Sequence, residues 1–398
     1  MKLRLGILLL LGTFSCSLFA KKTLPEKLSP SATISLLTVA PGAELYSAFG
    51  HTGIWVYDPG TKVSQVYNYG TFDFQPGKEM EFYVNFIKGR LIYRLETETF
   101  RRFEYVYHYF KRSYFSQTFD LTPSQVQRIY NFLRHNYQPE FRNYLYDFTY
   151  DNCATRVYDM LDYVLKDSMV WDKADEKFEL SFREQLQDPY LVGREWTAFG
   201  IDLILGSVND AHPTNKQASF LPDYLAVYFD KAQIRGKDGQ LRPLVKKRND
   251  IYEGQPPIEP SPWFVQPLLI TSLLMILIGM LTVWQGHQVK SGFWFERILY
   301  FLTGIAGLIL FLAWFATEHT STAWNYNILW LFFPHVVMAW FIKRKPAPWV
   351  GQYFLVSAGL IVWALFAWLV GLQDMNVAFL PLMIILFTRS LYIYGRSQ

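Results

Sequence analysis

"YDNCATRVYDML", residues 150–161, joins a polar opening to an apolar series and sets a cysteine at the joint. Val157, Met160, Leu161 and Val164 recur at helical spacing, and Asp151 or Asn152 supplies a cap. The spacing therefore predicts a helix with Cys153 in its first turn. Unpaired N–H groups and the positive end of the helix dipole favour a thiolate there. The other of the two cysteines, Cys16, falls in a leader segment, so no disulfide partner remains for Cys153. Two readings stay open: a small buried filler or a nucleophile kept free for chemistry.

A nucleophilic thiol needs a proton acceptor. "SAFGHTGIWVYD" places His51 at the start of a strand, just after Gly50, with small neighbours. The run 51–58, the turn "PGTK" and the run 63–74 read as a β-hairpin. "LTPSQVQRIYNFLRHNY" reads as a second helix, with Thr122 as N-cap, Pro123 at the first position and Gln125 completing a capping box. Strands and helices in mixed order predict an α+β domain. Helix-borne cysteine with strand-borne histidine is the constellation of papain-like thiol enzymes, here with histidine first in the chain.

The chain has 398 residues, of which 51% are hydrophobic and 18% aromatic, more than a wholly soluble protein carries. The N-terminus has a basic start, an apolar core from Leu5 to Leu11 and small residues before Lys21, as in a signal peptide over 1–20. An uncleaved anchor is the alternative; Thr13 and Phe14 argue against lipidation of Cys16. Five apolar runs follow, near 263–284, 296–316, 326–342, 350–371 and 377–394, giving an all-α membrane domain of about five helices over 263–398. Lys290, Arg297, the run Lys343–Arg344–Lys345, Arg389 and Arg396 all fall on one side of these runs, which predicts a cytoplasmic C-terminus. Residues 21–255 then form a domain outside the cytoplasm, joined through a proline-rich linker, 256–262, to the multi-pass domain. The net charge of +4 is small and scattered, which argues against nucleic acid as a partner. No HExxH, paired-cysteine or glycine-rich phosphate motif occurs, so neither metal nor cofactor is expected.

"FGHTGIWVYDP" (49–59), "VYNYGTFDF" (66–74) and "YDFTYDNCATRVYDML" (146–161), followed by a five-run membrane segment, together resemble the Lnb family of bacterial lipoprotein N-acyltransferases. The histidine strand, second strand and "NC" helix are more distantly similar to circularly permuted papain-like enzymes, the NlpC and lecithin:retinol acyltransferase type. The resemblance implies a permuted papain-like periplasmic domain, carried by a multi-pass domain in the bacterial inner membrane, that takes an acyl chain from a membrane phospholipid as a Cys153 thioester. It then passes that chain to the α-amine of a diacylated lipoprotein, with His51 moving the protons. The permuted enzymes orient their histidine with a second one on the next strand. No histidine lies in 52–74, and Asn68 takes the nearest equivalent place, with Asp73 as runner-up; Asn68 also reads as an ordinary turn-proximal asparagine.

Cys153 N–H and the Asn152 side chain are candidate oxyanion donors, and Asn152 is equally a plain cap. Arg156 suits a lipid phosphate or a surface ion pair. "RRFEYVYHYFKRSYF" (101–115) suits a headgroup-facing surface, or a strand pair with one aromatic face. Among the membrane runs, Glu318, His319, Thr322, Asn325 and Asn327 crowd an outer loop that would close over the thiol site or bind substrate, or simply be hydrophilic. His335 follows within a run, where it would serve function or bond a neighbouring helix. A thiol peptidase or amidase acting on cell-wall peptide shares the same residues, and a lipoprotein-binding scaffold needs none of them.

Overall fold

A computed structural model describes residues 24–72, 77–187, 190–236, 238–255, 261–286 and 293–398. The leader with Cys16, Asp73, Lys290 and linker residues 256–260 lie outside them.

The N-terminal half is built on strands β1 (Thr33–Val39), β2 (His51–Asp58), β3 (Val63–Phe72), β4 (Ile92–Thr99), β5 (Tyr114–Phe119) and β6 (Asn143–Leu145). A small sheet of β7 (Met169–Val170), β8 (Gln233–Arg235) and β9 (Leu241–Pro243) precedes the last strand, β10 (Val245–Tyr252). The large sheet runs β10-β5-β1-β2-β3-β4-β6, with every pairing antiparallel. The expected hairpin is present, β2 pairing with β3 from Ile54↔Tyr67 to Asp58↔Val63.

Helices follow the chain as α1 (Glu79–Ile87), α2 (Phe100–Tyr109), α3 (Pro123–Asn136), α4 (Cys153–Leu165), α5 (Phe182–Gln187), α6 (Glu195–Ile204), α7 (Asn215–Ala218) and α8 (Pro222–Lys231). One sheet face carries the main core: Leu36, Ile54 and Tyr67 pack against Ile129, Val157, Leu161 and Leu225 of α3, α4 and α8. The opposite face, with Leu37, Val39 and Val66, is covered by Phe103 of α2. The period-two alternation of a strand thus sorts neighbouring residues into two layers. Helix α3 begins with the expected capping box of Thr122 and Gln125. The aromatic and basic stretch 101–115 is neither a uniform surface nor a strand pair. It divides into α2, whose Phe103 is buried, and the start of β5.

The C-terminal half holds α9 (Pro267–Gly286), α10 (Trp294–Phe315), α11 (Asn327–Trp330), α12 (His335–Met338), α13 (Pro348–Leu369) and α14 (Phe379–Ser397). Three helices among the described residues are long and apolar enough to cross a bilayer: Pro267–Gln285, Trp294–Phe315 and Pro348–Leu369. Of the five expected apolar runs, the third and the fifth differ from these three. The third breaks between α11 and α12, where Leu331 to Pro334 pack on α10; a side chain at Gly307 would collide with the Leu331 carbonyl. The fifth, α14, carries Arg389 inside the bundle instead of in a tail. Arg389 pairs with Glu296 of α10 and donates to Thr282 and Gln285 of α9 at 2.7 and 2.6 Å. His335 bonds Tyr353 and Ser357 of α13 at 2.7 and 3.3 Å, the neighbouring-helix role.

The halves are docked. Phe199 of α6 meets Phe379 of α14 with ring centroids 4.9 Å apart, and Arg183 organises the polar part of the seam. Its guanidinium pairs with Asp202 and Asp210 and donates to the Leu205 and Gly206 carbonyls. Asn376 and the Asp374 N–H in turn bond those two carboxylates.

Candidate active site

The α4 N-terminus points at the end of the large sheet where β2 begins. Asn152 caps the helix, its Oδ1 accepting from the Ala154 and Thr155 N–H groups at 2.7 and 3.1 Å. Its Nδ2 donates to the Phe148 and Phe220 carbonyls at 2.7 and 3.0 Å. Both amide protons are therefore committed, which favours the cap reading of Asn152 over a free oxyanion donor. Cys153 N–H, at the first helical position, has no acceptor within the helix and remains the natural donor.

Cys153 is a free, half-buried thiol. Burial pushes its pKa up, but the His51 charge, a His51 hydrogen bond and contacts with the Thr52 side chain and backbone outweigh that. Together they bring it down to about 7. Gly70 of β3 keeps the space open: a side-chain carbon there would sit 3.6 Å from Cys153 Cβ and 3.7 Å from His51 Cε1. Its φ of +97° is a second reason for glycine.

Asn68 is buried on β3, and its Oδ1 lies 3.3 Å from His51 Nε2. The bond is long but within reach. With Nε2 engaged, Nδ1 is the nitrogen left to take a proton from the thiol. Behind Asn68 stands a residue that the sequence reading missed. Asn68 Nδ2 donates to Glu98 Oε1 of β4 at 2.7 Å, which turns the amide oxygen toward His51. Burial holds the Glu98 carboxyl above its usual range, against the opposing pull of Arg102, the Asn68 bond and His51. Cys153, His51, Asn68 and Glu98 form one continuous line, in which the last two are positioning residues.

The line opens into a cavity of about 300 Å³. Phe72, Tyr93 and Tyr146 make one wall, Phe148 and Phe220 another, and Arg112 and Tyr107 reach in from the α2 side. Arg112 stood in the sequence only as part of a basic surface. The other expected residues lie elsewhere. Arg156 pairs with Asp151, its Nη2 at 2.6 Å, and lies over the Tyr144 ring, lining a separate pocket beside α3.

The 317–327 loop is spent on docking. Glu318 pairs with Arg90 at 2.7 Å, and His319 Nε2 meets the Phe86 carbonyl at 3.0 Å. Asn325 donates to the Leu203 and Ile204 carbonyls, and Asn327 to those of Asp202 and Leu203. Glu318, His319, Asn325 and Asn327 do not line the Cys153 cavity. Among the described residues, no group of three or more His, Cys, Asp or Glu side chains is placed to hold a metal ion.

Residues 25–186 match the Lnb N-terminal periplasmic domain, and residues 259–397 match the Lnb transmembrane domain. The chain belongs to the Lnb family. No curated protein and no solved structure matches it. Both Cys153 and His51 fall within the match to the Lnb periplasmic domain, as do Asn68 and Glu98. This Lnb protein therefore joins a periplasmic domain to a transmembrane domain, with the thiol in the former.

Proposed function

We propose that this Lnb protein is a lipoprotein N-acyltransferase working through an acyl-thioester on Cys153. The observation that carries the reading is the Cys153–His51–Asn68–Glu98 line in an open cavity, with a thiol pKa of about 7. The line supports the papain-like likeness, which rests on this arrangement and on the order of its residues. His51 accepts the thiol proton as sulfur attacks the ester carbonyl of a phospholipid. The oxyanion forms within reach of Cys153 N–H. Collapse breaks the ester C–O bond, and His51 returns the proton to the departing lysophospholipid. The α-amine of a diacylated lipoprotein then attacks the thioester, passing its proton through His51 as the thiol is released.

Placement at a bilayer supports a lipid substrate. The loop after α10 is bonded to the end of α1, Glu318 N–H donating to the Lys88 carbonyl at 2.9 Å. Helix α1 buries none of its residues in the protein and exposes Met80, Tyr83, Phe86 and Ile87, while Glu318, which bonds its end, closely follows Phe315, the last residue of the α10 span. With α14 and the broken α11–α12 segment also crossing, five passes put the C-terminus in the cytoplasm of an inner-membrane protein. Three passes give the same side.

The test is to incubate the reconstituted full chain with phospholipid and a synthetic diacylglyceryl-cysteine peptide, and to read the product by mass. Gain of one acyl chain on the α-amine is expected from wild type and not from Cys153→Ala. Cleavage of a cell-wall peptide, with no acyl transfer, would replace this reading with the peptidase one.

A further inference from the structure

We propose that Arg112 is the phosphate-binding residue of the acyl-donor subsite, holding the lipid's phosphodiester beside the thiol. This rests on the acyltransferase reading and names how that site takes its donor. Arg112 lines the same cavity as Cys153. Its Nε and Nη2 both donate to the Ala40 carbonyl, at 2.9 and 2.8 Å, which fixes the guanidinium plane. The side chain lies against the Tyr107 ring, 5.2 Å from its centroid. Of five N–H donors, those two serve Ala40, leaving the Nη1 pair and the second Nη2 proton.

Among the described residues, no carboxylate stands within ion-pair distance of Arg112. Burial lowers its pKa, and the groups that oppose this are Tyr107, Tyr46 and the Cys153 thiol, none of them a carboxylate. A desolvated cation with no carboxylate partner is costly, and an anion entering the cavity lowers that cost. The planar fork of guanidinium N–H groups matches phosphate oxygens. In a phospholipid the scissile ester and the phosphate are held apart by glycerol alone. The small cavity suits that glycerophosphate portion, while the long acyl chains must stay in the membrane.

The test compares two donors on the full chain in vesicles: a phospholipid, and p-nitrophenyl butyrate, which carries no phosphate. Acylation of Cys153 is timed for wild type, Arg112→Gln and Arg112→Lys. The phospholipid-to-butyrate rate ratio is expected to fall about 100-fold in Arg112→Gln and to recover in part in Arg112→Lys. An unchanged ratio overturns the proposal, whether both rates hold or both fall through misfolding. Inorganic phosphate should compete with phospholipid in wild type and not in Arg112→Gln; phosphate that slows wild type through Arg112 while the phospholipid-to-butyrate ratio stays unchanged in Arg112→Gln gives the subsite to the free ion, and the lipid assignment fails. Wild type that takes butyrate but no phospholipid would instead overturn the donor reading itself, whatever Arg112 does.

Discussion

The Cys153 cavity and the 317–327 loop are both crowded with polar side chains, and they differ in what those side chains are bonded to. Around Cys153 the polar groups bond one another in a line, and the end of that line, the thiol, faces open space. In the loop nearly every group is satisfied by a fixed protein partner across the seam, mostly main-chain carbonyls. A saturated cluster holds parts together; a cluster with a valence left over can react. The contrast separates residues whose loss should stop chemistry from residues whose loss should loosen the molecule.

The largest effect is expected at the open end. His51→Ala should lower acyl-enzyme formation by about 10⁴-fold, since both the base and the thiolate's counter-charge disappear. Asn68→Ala frees the imidazole to rotate and should cost about 10²-fold, measured as the same single-turnover rate. Glu98→Gln keeps an acceptor but allows the Asn68 amide to reverse, and about tenfold is expected, the difference between a charged and a neutral hydrogen bond. A loss in Glu98→Gln as large as that in His51→Ala would move Glu98 from positioning into the chemistry. Alkylation adds a pH signature. Its rate should rise with pH as the thiolate forms and level off above about 7 in wild type. Because His51 lowers the thiol pKa, His51→Ala should move that midpoint upward.

At the seam the readout is stability. Asn327 is fully buried, donating across the seam and accepting from Trp330 Nε1 at 2.9 Å. Asn327→Ala should destabilise the protein by about 1–3 kcal/mol through the partners it strands, seen as a lower melting temperature in detergent. The smallest effect belongs to Glu318→Ala. Its ion pair with Arg90 is about half exposed, with side chains at 46% and 58%, and should cost less than about 1 kcal/mol. Neither loop variant should change the acylation rate of the folded protein. A hundredfold loss in Glu318→Ala would erase the contrast and return the loop to the active site.

The hairpin, the capped helices α3 and α4 and the Cys153–His51 pair were legible because each is written locally, in turn residues, caps and period. Asn68 was reached through the permuted enzymes' order. Glu98 was not, although "RLETETF" alternates like a strand. Its nearness to Asn68 depends on the β3–β4 register, Asn68↔Glu96, set across the intervening α1. Arg112 was hidden for a similar reason: the sequence gives its charge but not the turn that carries it from a helix end into the cavity. The loop misled because polar residues beside a membrane span read alike whether they face substrate or another domain. Arg389 misled as well, since an arginine near a chain end resembles a tail charge until Glu296 is seen to face it.

The most direct measurement is the intact mass of the full chain after incubation with vesicles of phospholipid labelled in its acyl chains. A covalent gain of one acyl group, removed by hydroxylamine and absent in Cys153→Ala, is the predicted result. An unmodified wild-type protein in vesicles that hold a suitable donor, with a thiol that also resists alkylation near neutral pH, would contradict it and return Cys153 to the role of a buried filler.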